Sequence, residues 1–414
     1  MGSFVMFVSH QWNGFNHPDP KSVQTSCMVQ VFRNLRDGVI DRVDMDPFHT
    51  ILYKTNRVTK HKEWAQLLSK SYVWYDFWSQ PQPSMTTNSR DKIKSLRELK
   101  LAIESMGAYV ERADCLVALV PSTVHCDRID PRTKRYEFTC YRTFRRRAFC
   151  VLELFACFLS RRKTHPMLLI RSPDSSPQWV SSLECQKLAV GQSLFTCCER
   201  NHKGEFAKCD RTICGDVLKR LIDKKVQYLF KLKNGIVSAR ITFGFKQWFL
   251  RGLPYDDYET RNIESVASLR KILKWTFEDD GDWFDRDGVS ILFYAVMFRR
   301  ENIVKDLLKS LSCIMRNERT RRLVSAVPRE GFVEFGITGK MNALSIAMAM
   351  STPKVVEILL DHGIDPTVSD ITGNHPFLFA CILNRVDNVK YWLDRFPDWD
   401  LEKPDRLFGT FFFS

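Results

Sequence analysis

Four short apolar runs, set apart by stretches of helical spacing, constrain this chain most. They are Phe4-Val-Met-Phe-Val-Ser9, Tyr72-Val-Trp-Tyr-Asp-Phe77, Cys115-Leu-Val-Ala-Leu-Val120 and Met167-Leu-Leu-Ile170. Each has the length of a strand, and unbroken apolar character suits a strand buried on both faces. Between them, Cys27, Val31 and Leu35 fall on one face of a helix over 24–35. Leu96, Leu99, Ile103 and Met106 repeat that spacing over 90–112, and Ala148 to Leu159 reads as a third helix. The alternation of strand and helix predicts a parallel sheet covered on both faces. Residues 39–70 read as an insertion and the basic, polar stretch 123–144 as a loop.

The third helix carries one carboxylate, Glu153, inside Phe149-Cys-Val-Leu-Glu-Leu-Phe155. A buried acid is costly unless it is paired or functional. Glu153 therefore pairs with an arginine, sits at a solvent edge, or faces a pocket. Open parallel sheets bind ligands beyond the carboxyl ends of their strands. Ser9 and His10 close the first strand, so they are pocket candidates, with a satisfied loop histidine as the alternative for His10. Trp12 either stacks on a base or fills the core. Asp76 falls inside the second strand, where it caps the following turn.

At 414 residues the chain is long enough for two or three domains, and 44% apolar content supplies real cores. No run reaches membrane-spanning length. The N-terminus lacks the basic and apolar regions of a signal peptide. The 13 cysteines have no framework spacing, so reduced thiols and a cytoplasmic location are expected. Cys197, Cys198, His202, Cys209 and Cys214 lack Cys-x-x-Cys hooks, and no metal is expected. The net charge of +14 gathers at Arg132 to Arg147, Arg161 to Lys163 and Arg316 to Arg322. No nucleic-acid motif accompanies these runs, so nucleic acid is not an expected partner. No membrane association is expected either.

The C-terminal part repeats. Ser290-Ile-Leu-Phe-Tyr-Ala295, Asn342-Ala-Leu-Ser-Ile-Ala347 and His375-Pro-Phe-Leu-Phe-Ala380 align, and Leu307-Leu308, Leu359-Leu360 and Trp392-Leu393 follow each at the same offset. Ala347 and Ala380 are 33 residues apart, while Ala295 and Ala347 are 52 apart, one period plus an insertion. This pattern resembles ankyrin repeats, with His375 to Ala380 closest to the family signature. The resemblance implies an all-α array over 261–414 of about three repeats, which binds a protein partner on one face. The apolar tail Leu407 to Ser414 reads as a truncated fourth repeat or as a segment packed on the last helix.

Residues 4–170, about 40% of the chain, resemble a TIR-type domain and share features with the related HET type. Val5-Met-Phe-Val-Ser-His10 is similar to the family's first strand. Ala102-Ile-Glu104 with Ala113 to Ser122 is similar to the helix and strand before its catalytic helix. Phe149-Cys-Val-Leu-Glu-Leu154 is similar to that helix's Trp-Cys-Leu-x-Glu-Leu block, and Tyr75 to Gln82 to a HET element. The resemblance implies a flavodoxin-like parallel-sheet domain over 1–175, with 176–260 as a connector. It also implies either self-association in signalling or cleavage of the nicotinamide–ribose bond of NAD, with Glu153 as the catalytic residue. The primary expectation is an intracellular signalling and interaction protein. The alternative is an NAD glycohydrolase with Ser9, His10, Trp12 and Asp76 around its substrate and no required cofactor.

Overall fold

The computed structural model describes residues 3–47, 49–50, 56–82, 88–161, 166–202, 209–255, 262–276, 283–312 and 331–401. The Arg316 to Arg322 run and the apolar tail lie outside the described residues. The chain forms two compact units. The first takes Met1–Lys225 and Leu250–Tyr255, the second Val226–Phe249 and Asp256–Ser414. Residues 176–260 thus contribute to both.

The first unit is built on nine described strands: β1 (Phe4–His10), β2 (Arg42–Met45), β3 (Val58–Lys60), β4 (Ser71–Tyr75), β5 (Cys115–Leu119), β6 (Thr123–Ile129), β7 (Tyr136–Thr139), β8 (Met167–Ile170) and β9 (Gln178–Val180). Seven of them form one sheet in the order β3-β2-β9-β8-β5-β1-β4. The four expected strands make a continuous parallel block, β4-β1-β5-β8. All five residues of β5 and all four of β8 are buried, as strands covered on both faces require. Alternation sends Met6 and Val8 into a core shared with Cys27, Val31 and Leu35 of the Val23–Arg36 helix and with Trp64 and Trp179. The opposite face receives the Ala148–Phe158 helix, which packs on β1 and on the Met106–Arg112 helix.

Several sequence expectations need correction. The sheet is mixed, because β9 runs antiparallel to β8 and β3 antiparallel to β2. Residues 39–70 are not an insertion. They supply β2, β3 and the His61–Leu68 helix, whose Trp64 stacks on Trp179 of β9 at 5.7 Å between ring centroids. Short strands spaced by polar residues give too little periodicity to be read. The stretch 123–144 is a β-hairpin, β6-β7, rather than a loop. Its alternation was hidden by charge, since exposed Arg132, Lys134 and Arg135 occupy the turn. The helix over 90–112 is two helices, Ser89–Glu104 and Met106–Arg112, meeting at Ser105. Asp76 lies outside the strand and opens a helical turn, Asp76–Ser79.

In the second unit the three aligned segments are three helix pairs. Ile291–Met297 pairs with Glu301–Ser312, Ala343–Met350 with Pro353–Asp361, and Pro376–Ile382 with Val386–Arg395. The first helices pack side by side, and so do the second helices, which makes two layers. Ser290 and Asn342 cap their helices by accepting from the N–H groups of Phe293 and Ser345 at 3.2 and 2.7 Å. Asp285 and Asp370 build equivalent turns: each Oδ1 accepts from N–H groups two and four residues on. Gly288 and Gly373 stand at φ +77° and +89° in these turns, where a Cβ would be strained. Buried Asn388 donates to the carbonyls of Met348 and Ala347 at 2.9 and 3.2 Å, tying the third pair to the second. Among the described residues, no helix is long and apolar enough to cross a membrane.

Trp64 is fully buried, so Trp64→Ala removes an aromatic pair and leaves a cavity. We expect the first unit to lose about 3–5 kcal/mol, read as a lower urea midpoint in its unfolding transition. A loss under about 1 kcal/mol would mean that β2, β3 and the 61–68 helix are not integral to its core.

Candidate functional site

The carboxyl end of β1 organises the site. Val8 pairs with Tyr75 in the sheet register, so Asp76 follows beside Ser9. The pleat directs Ser9 and His10 to opposite faces, and their partners confirm it. Ser9 Oγ donates to Glu153 Oε2 on the Ala148–Phe158 helix, while His10 Nδ1 lies 2.8 Å from Gln24 Oε1 on the Val23–Arg36 helix. The strand end is thereby clamped from both sides. One turn before Glu153, the Cys150 thiol donates to the His10 carbonyl at 3.4 Å, which fixes the helix against the strand.

Glu153 is half-buried in a helix whose other residues, apart from Phe149 and Phe158, are fully buried. Burial pushes its carboxyl up to about 8; the Ser9 hydrogen bond opposes this and the nearby negative charge of Asp76 adds to it. Among the described residues it has no arginine or lysine partner, so the paired-acid reading of the sequence does not hold. The basic residues flanking it are committed elsewhere. Arg145 bridges to Glu184 at 2.9 Å, and Arg147 to Glu199 at 3.0 Å.

Asp76 is the second anchor. Its Oδ1 lies 2.8 Å from His10 Nε2 and accepts from the Phe77 N–H at 2.6 Å, and its Oδ2 accepts from the Trp12 indole at 2.8 Å. Burial raises its pKa, but the His10 charge and these three donors outweigh burial and hold it below the usual carboxylate range. Gln24 Nε2 donates to the Gln11 carbonyl at 2.7 Å, which turns its Oε1 toward His10. Nδ1 of His10 faces that oxygen and, at 3.2 Å, the Tyr75 hydroxyl, while Nε2 faces the Asp76 carboxylate. Tyr75 stacks on the ring at 4.2 Å. Trp12 does two jobs. Its ring meets Phe77 edge-on at 5.9 Å beside the core, and its N–H steadies Asp76.

All five residues singled out in the sequence, Ser9, His10, Trp12, Asp76 and Glu153, thus converge on one strand end. Sequence reasoning missed Gln11, Gln24, Tyr75 and Asn13. Gln24 was visible only as a polar residue on the buried face of its helix. Gln11 is buried, and neither polar atom of its carboxamide finds a protein partner among the described residues. Such a group costs about 1–3 kcal/mol, more than a fold retains without reason. Asn13 docks the hairpin over the loop after β1. Its carbonyl accepts from Cys126 N–H at 2.6 Å and its side chain accepts from Thr139 Oγ1 at 3.1 Å. The hairpin therefore borders the site, and no apolar pattern announced it.

The raised pKa of Glu153 has a consequence for stability. A carboxyl near 8 when folded and about 4.3 when unfolded binds its proton more tightly in the folded state. Its contribution is complete below the unfolded value and is lost as pH rises through about 8. Glu153→Gln cannot ionise, so the wild type should lose stability relative to this variant as pH rises from about 5 to about 9. Denaturation midpoints of the two proteins across that range decide it, and a constant difference would mean that Glu153 ionises in the ordinary carboxylate range.

No protein-family model, no curated protein and no solved structure matches this chain.

Proposed function

We propose that the first unit cleaves the nicotinamide–ribose bond of NAD, with Glu153 acting on the ribose. One observation carries this reading: a half-buried carboxyl, free of any cationic partner among the described residues, is held by Ser9 at the carboxyl edge of the sheet's parallel block. When nicotinamide departs with the bonding electrons, the ribose becomes an oxocarbenium-like cation. A carboxylate already positioned there stabilises that cation or holds the ribose hydroxyls, in surroundings of low dielectric where the interaction is strong. Water then completes the hydrolysis. Ser9 orients the carboxyl and favours its charged form. His10 and Asp76 form a fixed pair beside it. The Gln11 carboxamide is a buried donor and acceptor suited to a polar ligand group. The similarity of Phe149 to Leu154 to the catalytic block of NAD-cleaving TIR domains agrees with this assignment.

The second unit supports a binding role alongside the chemistry. Three helix pairs in two layers, with matching Asp285 and Asp370 turns, suit an ankyrin-like array that takes a protein partner. In this reading the chain is a signalling protein whose second unit recruits a partner, with self-association of the first unit as a means of assembly.

The deciding assay measures nicotinamide release from NAD by the purified full chain, crowded to favour assembly, against Glu153→Ala. We expect the variant to fall by about 100-fold or more at equal folded fraction. Because the free carboxyl titrates near 8, kcat/KM should rise from neutral pH and level off above that value. Equal turnover in both proteins would sink the assignment of Glu153. An absence of turnover in the wild type would leave the interaction reading as the better account.

A further inference from the structure

The residues that stand apart from the Glu153 site include a cluster of thiols. Cys197 and Cys198 lie in the helical turn Thr196–Glu199, and Cys209 immediately precedes the Asp210–Lys231 helix. The three Sγ atoms all lie within 4.8 Å of one another. The Cys198 sulfur is 3.9 Å from that of Cys197 and 3.8 Å from that of Cys209. Two thiolates on a tetrahedral zinc, each bonded at about 2.3 Å, are separated by about 3.8 Å. A disulfide would need sulfurs at about 2.05 Å, so these thiols are unbonded yet gathered at the edge length of a zinc tetrahedron.

The surroundings of the cluster suit the same chemistry. The Asp210 N–H donates to Cys197 Sγ at 3.3 Å, a bond that supports charge on a ligating sulfur. The turn that presents the first two thiols is closed by His202 N–H to the Cys197 carbonyl at 2.9 Å and Asn201 N–H to the Cys198 carbonyl at 3.1 Å. Asn201 and His202 both stand at φ 52°, a left-handed conformation that costs energy in residues other than glycine. Asp210, next to Cys209 in the chain, and His202, at the end of the 196–202 turn, supply two further residues of metal-ligating type. Cys197 is buried, while Cys198 and Cys209 are half-buried and open to an entering ion.

We infer that Cys197, Cys198 and Cys209 are thiolate ligands of a structural zinc site, completed by Asp210 or His202. The soft sulfur set and tetrahedral spacing select zinc over hard cations. On binding, each thiol gives its proton to solvent and a zinc–sulfur bond forms, with no change of oxidation state. The ion would staple the 196–202 turn to the start of the 210–231 helix. The sequence spacing argued against a metal, because the adjacent pair Cys197-Cys198 and the distant Cys209 match no zinc-hook pattern; only the fold brings the sulfurs together.

The test uses the full chain, purified under reducing conditions and stripped with a chelator, then titrated with cobalt(II). We expect about one cobalt per chain, with the thiolate charge-transfer and visible bands of a tetrahedral sulfur site, displaced by zinc. The double variant C198S/C209S should lose the bands, while C126S, which removes a half-buried thiol elsewhere, should keep them. Circular dichroism confirms that each variant is folded. Zinc in the untreated wild type, measured by elemental analysis, gives a readout that needs no variant, with about one per chain expected. A loss of affinity of about tenfold or more in H202A or in D210N identifies the fourth ligand. The inference is overturned if the reduced wild type gives no tetrahedral bands, or if the bands survive in C198S/C209S. It is also overturned if Cys198 and Cys209 prove to be disulfide-linked and take no cobalt after reduction.

Discussion

Burial of β1 and β5 on both faces is the constraint on which the first unit depends. Phe7, Val8, Leu116, Val117 and Leu119 are all but inaccessible to water. Each strand needs a helix layer above and below, and the chain supplies them from 23–36 on one side and from 106–112 and 148–158 on the other. Once that is satisfied, side chains cannot leave the sheet along its faces. Polar groups collect where the strands end, and Ser9, His10 and Asp76 lie there. The chemistry proposed for this protein is thus a product of its packing.

The strand end is also where the electrostatics divide. Two acids stand near each other and are driven apart in pKa by their surroundings. Asp76 has three donors and the His10 charge, and it stays ionised. Glu153 has one hydroxyl and an apolar helix around it, and it holds its proton to about 8. Paired titratable groups with opposed shifts are a common mark of sites that handle charge. The second unit shows the same economy in its core. Arg240 is completely buried, donates to the carbonyls of Leu273 and Lys274 at 2.8 and 2.9 Å, and lies over Trp275. Asp285, which takes the Tyr294 hydroxyl at 2.7 Å, stands 3.7 Å from it. A buried charge pair of this kind is retained only when its donors and acceptors are met.

Much of the parallel block was legible because its strands are unbroken apolar runs of the right length. The helix at 24–35 was legible because its apolar residues recur every three or four positions, and the one at 148–159 because it is an apolar run longer than a strand. The periodicity of β2, β3 and β9 is weaker, since each has only three or four residues with polar positions among them. They join the sheet because Trp64, Trp179 and Val43 have a core to enter, which is a property of the assembled fold. The β6-β7 hairpin was illegible for a similar reason. Its strands are anchored by Asn13 and Thr139, more than a hundred residues apart in sequence.

The sequence by itself determined the strand–helix alternation, the three aligned helix pairs and the residue types at the candidate site. These follow from local periodicity and from where polar residues interrupt apolar runs. Tertiary structure alone decided that Glu153 meets Ser9 instead of an arginine, that Gln24 orients His10, and that Asp76 belongs to both His10 and Trp12. It also decided that Cys209 comes to lie beside Cys198. Each of these depends on distances between residues that are remote along the chain. Spacing along a sequence carries no information about such distances until the sheet and its helices are closed.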